Sequence, residues 1–504
     1  MSCAIVLLCC APHGSGVAAQ QSRTPDLSAR GLDETEAGKR IRSFLNAYNS
    51  GNLERIKQFI VSESDPKFLA ASPDRAQRTA AYWLNIFSQY GPVRFHSISR
   101  IDGFETEAWT YGTVSRSWLG LDFTAAEQPP HKVVDYGVVR GSRPKVAPAL
   151  IPANRIAPYL TGYLRGLDQH GLFSGTVLIA RNGKPFFQGA YGDANRELKI
   201  ANRADTKFYI ASLSKMFTAV AILQLAEQGR LALADPISKY PPEYPKQIAE
   251  KVTIRHLLNH TSGIELDEIE AFNDAVQQAG TMQEIYAAQL KHISQLPNFA
   301  NYALPTRFNY SNEEYDLLGM IIEKVSKQDY DDYLNRHIFR PARMRHTVAF
   351  SPRQPVTMAA IGYTRREPSG GYASGSVQTN KSFMQVRTRP SGGHYSTVGD
   401  MLRFYSALTN GKLPSRNGAR KLTMPQITIH ETPTESHYYG YGFQIEKLND
   451  VTMFGHGGGF FGASARFDVY RQLGYTVIVL SNQEWVANNV ADHIREVIGG
   501  FGPK

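Results

Sequence analysis

Ser212 and Lys215 stand three residues apart in the stretch FYIASLSKMFTAVAILQLAEQG (208–229). On a helix that spacing puts both side chains on one face of the first turn. A serine hydroxyl is a poor nucleophile at neutral pH and needs a neighbour to take its proton. A lysine can take it only where burial or another cation brings its pKa well below about 10.4. A helix N-terminus adds a positive dipole end and free N–H groups, which favour a developing oxyanion. The same spacing recurs at Ser64…Lys67 and Ser142…Lys145, where prolines intervene and no helix start follows. Those two pairs are read as accidental.

Two further groups add parts that the pair lacks. FNYSNEEYDLLGMIIEKVS (308–326) sets Tyr310 and Asn312 just ahead of an amphipathic helix. They offer a phenol as a second acid or base and an amide to hold a ligand. Alone, they would better suit a buried tyrosine and a helix cap. FGHGGGFFGASARFDVY (454–470) sets His456, Gly457, Gly458 and Gly459 ahead of a strand. Such glycines permit close backbone approach to a ligand, and their N–H groups can face an oxyanion. Alone, they would equally suit a hairpin turn.

The elements that must position these groups follow from periodicity. A strand is expected to end near Ile210, with a helix from about Ser212. Its apolar face is Leu213, Met216, Phe217, Val220 and Leu223, and Gly229 stops it. Residues 173–191 read as a hairpin about Asn182-Gly183, a strong turn signal. YGFQIEKL, ARFDVYRQ and GYTVIVLSN near the far end read as strands, with a final helix at 484–497. Strands from both ends around a helical middle predict an α/β domain over 158–504, its antiparallel sheet assembled from the two termini of that segment. Ahead of it, Ile41, Phe44, Leu45 and Tyr48 recur at helical spacing after Asp33 or Thr35, and 49–52 stops that helix. Helices at 53–61 and 75–90 and strands at 91–101, 104–117 and 131–140 complete a small α+β domain over 33–143. His96, Glu105 and Glu107 are read there as solvated strand positions. A proline-bearing linker is placed at 144–157 and a flexible tether at 20–32.

Composition narrows the class. The chain has 504 residues, 42% hydrophobic and 20% charged, which excludes a wholly disordered or fibrous chain. No stretch approaches the roughly 20 apolar residues of a membrane helix. The net charge of +10 is spread along the chain without a basic block, against a nucleic-acid partner. The three cysteines are Cys3, Cys9 and Cys10. They lie in a short apolar run that, with Val17-Ala18-Ala19, reads as an export signal over 1–19, though without its basic start. Export to the periplasm or beyond is therefore expected.

In order and spacing these segments resemble the serine β-lactamase/penicillin-binding-protein superfamily, and most nearly its class C β-lactamase-like hydrolases. TIRHLLNHTSGI (253–264) and GGHYSTVGDMLRF (392–404) match that branch as well. The resemblance implies that Ser212 is acylated, that Lys215 shares its proton, and that Tyr310 acts with Lys215 as base and then protonates the leaving group. It implies that Asn312 holds the substrate, and that the backbone N–H groups of Ser212 and Gly459 form the oxyanion hole. It implies no metal or cofactor, and a small-molecule or peptide substrate. His456 stands where β-lactamases carry the lysine of Lys-Thr-Gly, and Gly457 replaces the threonine. A neutral imidazole and a glycine would weaken the hold on an anionic substrate by about 1.5–3 kcal/mol per lost charge-assisted bond. Ester or D-peptide cleavage is therefore expected over efficient β-lactam cleavage. In this branch His260 pins a loop away from the nucleophile. His394 and His437 could reach the cleft from loops, and 437–443 is read as packing. Pocket shape is expected to depend on loops at 264–300 and 350–390. FLNAYNSGNLERIKQFI (44–60) resembles the cone-shaped nuclear-transport-factor/SnoaL-like domains. A binding or scaffolding protein that keeps the fold without turnover is the rival reading. A third gives the first domain the main task, in binding or dimerisation.

Overall fold

The computed structural model describes residues 31–139, 144, 151–240, 244–266, 269–296, 299–305, 307–351, 356–368, 370–373, 375–432, 435–448 and 451–499. The expected export signal, the cysteines, the Ser142…Lys145 pair, most of the tether and residues 145–150 of the linker lie outside them. Backbone proximity divides the described chain into two units. One holds 31–173, 364–378 and 492–499, and the other holds 174–363 and 379–491.

The first unit opens on α1 (Glu36–Tyr48), whose cap is Thr35: its hydroxyl accepts the Gly38 N–H at 2.9 Å. Asn52 both ends the intervening turn and caps α2 (Leu53–Glu63), accepting the Arg55 N–H at 3.1 Å. With α3 (Arg75–Tyr90), these helices bury an aromatic core. The Phe44 ring centre lies 4.7 Å from Trp83 and 5.1 Å from Phe123. Their partner is a four-stranded antiparallel sheet in chain order: β1 (Val93–Asp102), β2 (Glu105–Gly112), β3 (Trp118–Ala125) and β4 (Val133–Val138). The single strand expected at 104–117 is cut at Gly112. A turn follows in which Arg116 takes a φ of +56°, and the alternating WLGLDFTA becomes β3. The end of the expected linker is helical: α4 (Ala153–Gln169) buries Ile156, Leu160, Leu164 and Leu167.

The second unit is built on an eight-stranded antiparallel sheet. Its first hairpin is β5 (Gly175–Arg181) and β6 (Lys184–Tyr191), turning on Asn182 and Gly183, both with positive φ. The other six strands come from the far end of the chain. They are β7 (Ile427–Glu431), β8 (Glu435–Tyr439), β9 (Gln444–Leu448), β10 (Val451–Phe460), β11 (Ala463–Tyr470) and β12 (Tyr475–Ser481). The order is β7-β8-β9-β10-β11-β12-β5-β6, so β12 joins β5 and the two ends meet in one sheet, as expected.

The longer helices of this unit include α5 (Ser214–Glu227), buried from Ser214 to Leu225, α6 (Glu270–Gln278), α7 (Met282–His292), α8 (Asn312–Ser326) and α9 (Val398–Thr409); α8 packs on α5 and α7, and α9 packs on β5 and β12. The region 264–300, expected as loops, thus carries α6 and α7. Thr281 caps α7 through a reciprocal pair with Glu284, a local signal passed over in the sequence. A final helix, α10, spans Val486–Gly499. No described helix is long and apolar enough to cross a membrane.

Candidate active site

The chain enters α5 through a tight turn. Phe208–Tyr209 pairs with Tyr395–Ser396, and the Ile210 N–H donates to the His394 carbonyl at 2.9 Å. Ala211 then takes a left-handed φ of +46°. For a residue with a Cβ this costs about 1–2 kcal/mol, and such strain persists only where the surroundings enforce it. Ala211–Leu213 forms a 3-10 turn and α5 proper begins at Ser214. Ser212 therefore lies one turn ahead of the helix expected to start with it. The side chain still faces Lys215, because the 3-10 turn runs straight into α5.

Ser212 is 9% exposed and Lys215 is fully buried. The Ser212 Oγ accepts from the Tyr310 hydroxyl at 2.9 Å and from the Lys215 Nζ at 3.4 Å. Loss of a proton from either neighbour would turn it into an acceptor for the proton of Ser212. The ammonium also donates to Asn312 Oδ1 at 2.7 Å and to the Ser391 carbonyl at 2.6 Å, and lies 4.7 Å from the centre of the Tyr310 ring. Ser212, Lys215, Tyr310 and Asn312 thus converge.

Ser391 was not singled out from the sequence, since its contribution is a backbone carbonyl. Its own N–H donates to Asp316 Oδ1 at 3.1 Å, and Asp316 is paired with the buried Arg389. Thr218 holds the neighbouring Pro390 carbonyl at 2.7 Å. The long-range Asp316–Arg389 pair has no local signature.

His260 is not remote from this group. Its ring lies 4.4 Å from that of Tyr310 and is enclosed by Phe308, Tyr315 and Tyr439. Its Nδ1 accepts the Ser311 N–H at 3.2 Å and also meets the buried Glu314. Since Nδ1 is already an acceptor, the proton on the second contact belongs to Glu314. Burial agrees: it holds the Glu314 carboxyl well above the usual carboxylate range. Burial and the Lys215 charge hold His260 well below the usual imidazole range. The pair is neutral and sits directly under Tyr310.

The glycine run lies inside β10, not in a turn ahead of a strand. A Cβ on Gly458 would run into the Ile210 carbonyl oxygen, so β10 meets the Ser212 turn backbone to backbone. Gly457 sends its N–H away from β11, to Gln444 Oε1 at 3.0 Å. N–H directions alternate along a strand and β10 keeps unbroken register with β11, so Gly459 sends its N–H the same way. Pairing with β9 stops at Gln444 opposite Gly455, which leaves that edge clear at Gly459. The Gly459 N–H thus lies on the edge of β10 that β9 leaves unpaired, one residue on from the Gly458 contact with Ile210.

His456 is buried in β10. Its Nδ1 contacts the Gly457 carbonyl at 2.5 Å and its Nε2 contacts the Tyr439 hydroxyl at 2.9 Å. The carbonyl can only accept, so the proton is on Nδ1 and Tyr439 donates to Nε2. Burial, with Lys215 nearby, brings its pKa down to about 3, and it carries no charge at neutral pH. Its ring centre is 6.5 Å from that of Tyr310. Tyr439 belongs to the aromatic run read as packing. One hydroxyl in that run does polar work, and Gln444 just beyond it does too.

The other singled-out residues lie elsewhere. His394 does not reach a cleft: it is fully buried between the rings of Phe217 and Phe339. His437 contacts Glu435 at 2.6 Å on β8. Ser64 meets the Tyr136 hydroxyl at 2.7 Å in the first unit, and no lysine takes part. Glu105 and Glu107 both pair with Arg100, and their carboxylates gather with that of Asp122 on the sheet. His96 meets the neighbouring Ser97 hydroxyl at 2.9 Å on β1.

A family model described as Beta-lactamase matches residues 156–497. Penicillin-binding protein 4* of Bacillus subtilis (strain 168) is 31% identical over 327 residues, which is 63% of this chain and 70% of that protein. PbpX of the same organism is 33% identical over 287 residues, 57% of this chain. The chain spans 64% of the length of PbpX and 37% of that of protein flp of Staphylococcus aureus (strain MW2). Among solved structures, penicillin binding protein from Bacillus halodurans is similar at 29% identity and a TM-score of 0.55, covering 64% of this chain and 95% of that one. The D-stereospecific amidohydrolase from Streptomyces sp. is similar at 28% identity and a TM-score of 0.51, covering 65% and 94%. The chain belongs to the β-lactamase family, within the superfamily that includes the penicillin-binding proteins.

Proposed function

We propose that this protein is a serine hydrolase that cleaves ester or amide carbonyls through an acyl-enzyme on Ser212. The observation that carries the reading is the trio of buried Ser212 and Lys215 with half-buried Tyr310, joined at 2.9 and 3.4 Å. Lys215 and Tyr310 take the proton of Ser212 as it attacks, and Tyr310 returns it to the leaving group. The N–H groups of Ser212 and Gly459 stabilise the oxyanion. Asn312 positions Lys215 and the substrate. Water then releases the acyl group.

The reading places the protein with the class C-like esterases and D-stereospecific peptidases rather than with efficient β-lactamases. Three features on the leaving-group side support this. His456 is neutral with both nitrogens engaged, Gly457 has no hydroxyl, and the Gly457 N–H is taken by Gln444. The cation nearest Gly457, Arg466 opposite it on β11, is paired with Asp468 at 3.0 Å, so a substrate carboxylate would have to compete for it. We further read residues 33–143 as a SnoaL-like cone and the chain as exported.

The test is parallel turnover of a short-chain p-nitrophenyl ester, a chromogenic cephalosporin and a D-alanyl peptide amide by the protein and its Ser212→Ala variant. Ester or amide turnover that vanishes in the variant is the expected result. Turnover that survives Ser212→Ala would refute the nucleophile, and a cephalosporin rate above the other two would refute the branch.

A further inference from the structure

The two flanks of Ser212 differ in character, and the direction of the reaction can be assigned to them. This rests on the hydrolase reading above. Tyr310 protonates the leaving group, and the Tyr310 ring is 6.5 Å from His456, near the middle of β10. The leaving group therefore points toward His456 and Gly457. The acyl group, on the opposite side of the carbonyl carbon, points the other way along β10, toward Phe460. Four residues of strand separate the two, about 13 Å.

What waits at that end is aromatic. Phe460 packs 5.0 Å from Tyr209, and Tyr209 packs 5.5 Å from Tyr395. Tyr209 and Ala211 are buried, and Met384, Tyr395 and Phe460 close around them while staying partly exposed. This cluster is separate from the main core of the unit and includes the residue just before Ser212. Phe461 and Phe383 continue it, with ring centres 4.3 Å apart. At its edge Gly392 carries no side chain, and a Cβ placed there would sit in ordinary contact, 3.4 Å from Ala211 and 3.7 Å from the Ser212 nitrogen. The lining side chains offer rings and a thioether, with no ionised group among them.

We propose that Phe460, Tyr209, Tyr395 and Met384 form an acyl subsite, and that the natural substrate carries an uncharged aryl or branched alkyl acyl group there. Apolar contact is worth about fourfold in kcat/KM per buried methylene, so an aryl group should dominate selection.

The experiment compares p-nitrophenyl acetate, butyrate and phenylacetate, which share one leaving group. The phenylacetate-to-acetate ratio of kcat/KM is expected to exceed tenfold. It should fall at least fivefold in Phe460→Ala and in Met384→Gln. The ratio does not depend on how much of a preparation is folded, and Met384 lies in a loop, so the second variant stands if the first is unstable. A ratio near one, or a high ratio unchanged in both variants, would overturn the subsite while a fluorophosphonate probe still labels Ser212. Inert esters together with an unlabelled Ser212 would overturn the hydrolase reading, and the subsite with it.

Discussion

The two units handle buried charge in opposite ways. Among the described residues 31–139, no Asp, Glu, Lys, Arg or His is buried, and the interior is filled by Phe44, Tyr48, Trp83 and Phe123. The second unit buries Lys215, Glu313, Glu314, Asp316, Arg389, Asp400 and Asp468. Taking an ion out of water costs several kcal/mol, and a pair recovers it only with good geometry. A core built for stability alone would follow the first pattern. The second pattern gathers at one place: Lys215, Glu314, Asp316 and Arg389 all act on the surroundings of Ser212, directly or through Ser391 and His260. The contrast locates the site without reference to any motif.

The contrast can be attacked at four points. The largest effect is expected from Lys215→Ala. Removing one member of a coupled nucleophile group typically costs about 10⁴–10⁶-fold in kcat, and steady-state ester turnover reads it directly. Next is Tyr310→Phe, which keeps the ring on His260 and removes only the hydroxyl. General acid–base help is worth about 10²–10⁴-fold. The loss should fall on kcat, with KM nearly unchanged, and a loss confined to KM would move Tyr310 from proton transfer to binding.

The third concerns stability. Burial holds His394 at a pKa of about 3, so it is neutral in the folded chain. Unfolded, it titrates near 6.5. Its contribution is intact above that value and drains away as pH falls toward 3, by about 1.4 kcal/mol per unit. Between pH 7.5 and 5 the loss is about 2 kcal/mol. His394→Leu should remove that loss, so urea unfolding at the two pH values should differ less by that amount. Equal acid sensitivity in both proteins would mean that buried titratable groups do not set this unit apart. The smallest effect is expected in the first unit. The Tyr48 hydroxyl is buried with no hydrogen-bond partner among the described residues. Tyr48→Phe should therefore leave stability equal or raise it by about 1 kcal/mol, and leave ester turnover unchanged.

Much of the fold was legible because its signals are local. The Asn182-Gly183 turn, the alternation in GYTVIVLSN and the cap at Thr35 each act within a few residues. The proximity of Lys215 to Ser212 was legible for the same reason. The remainder depends on groups far apart in the chain. The carbonyl of Ser391 reaches Lys215 across 176 positions and Tyr439 on β8 reaches His456 on β10, two strands over, so neither leaves a pattern in one sequence. The glycines of β10 were placed ahead of a strand rather than inside one, with a hairpin turn as the alternative, because glycine usually weakens strands. Here it is required, since a Cβ on Gly458 would strike Ile210. His260 was placed away from the site for a related reason. Nothing in HTSGI announces that its imidazole will lie under a tyrosine fifty residues later.

The sheet that joins residues 175–181 to residues 475–481 also sets a timetable. At a synthesis rate of about 5–20 residues per second, β5 waits roughly 15–60 s for its partner to leave the ribosome. For most of that interval, once Ser212 is made and until β10 at Val451–Phe460 follows, the Ser212 turn exists without its neighbouring strand. A nascent or truncated chain thus carries Ser212 without the Gly459 N–H proposed as its second oxyanion donor, and the assembled centre first exists when synthesis is nearly complete.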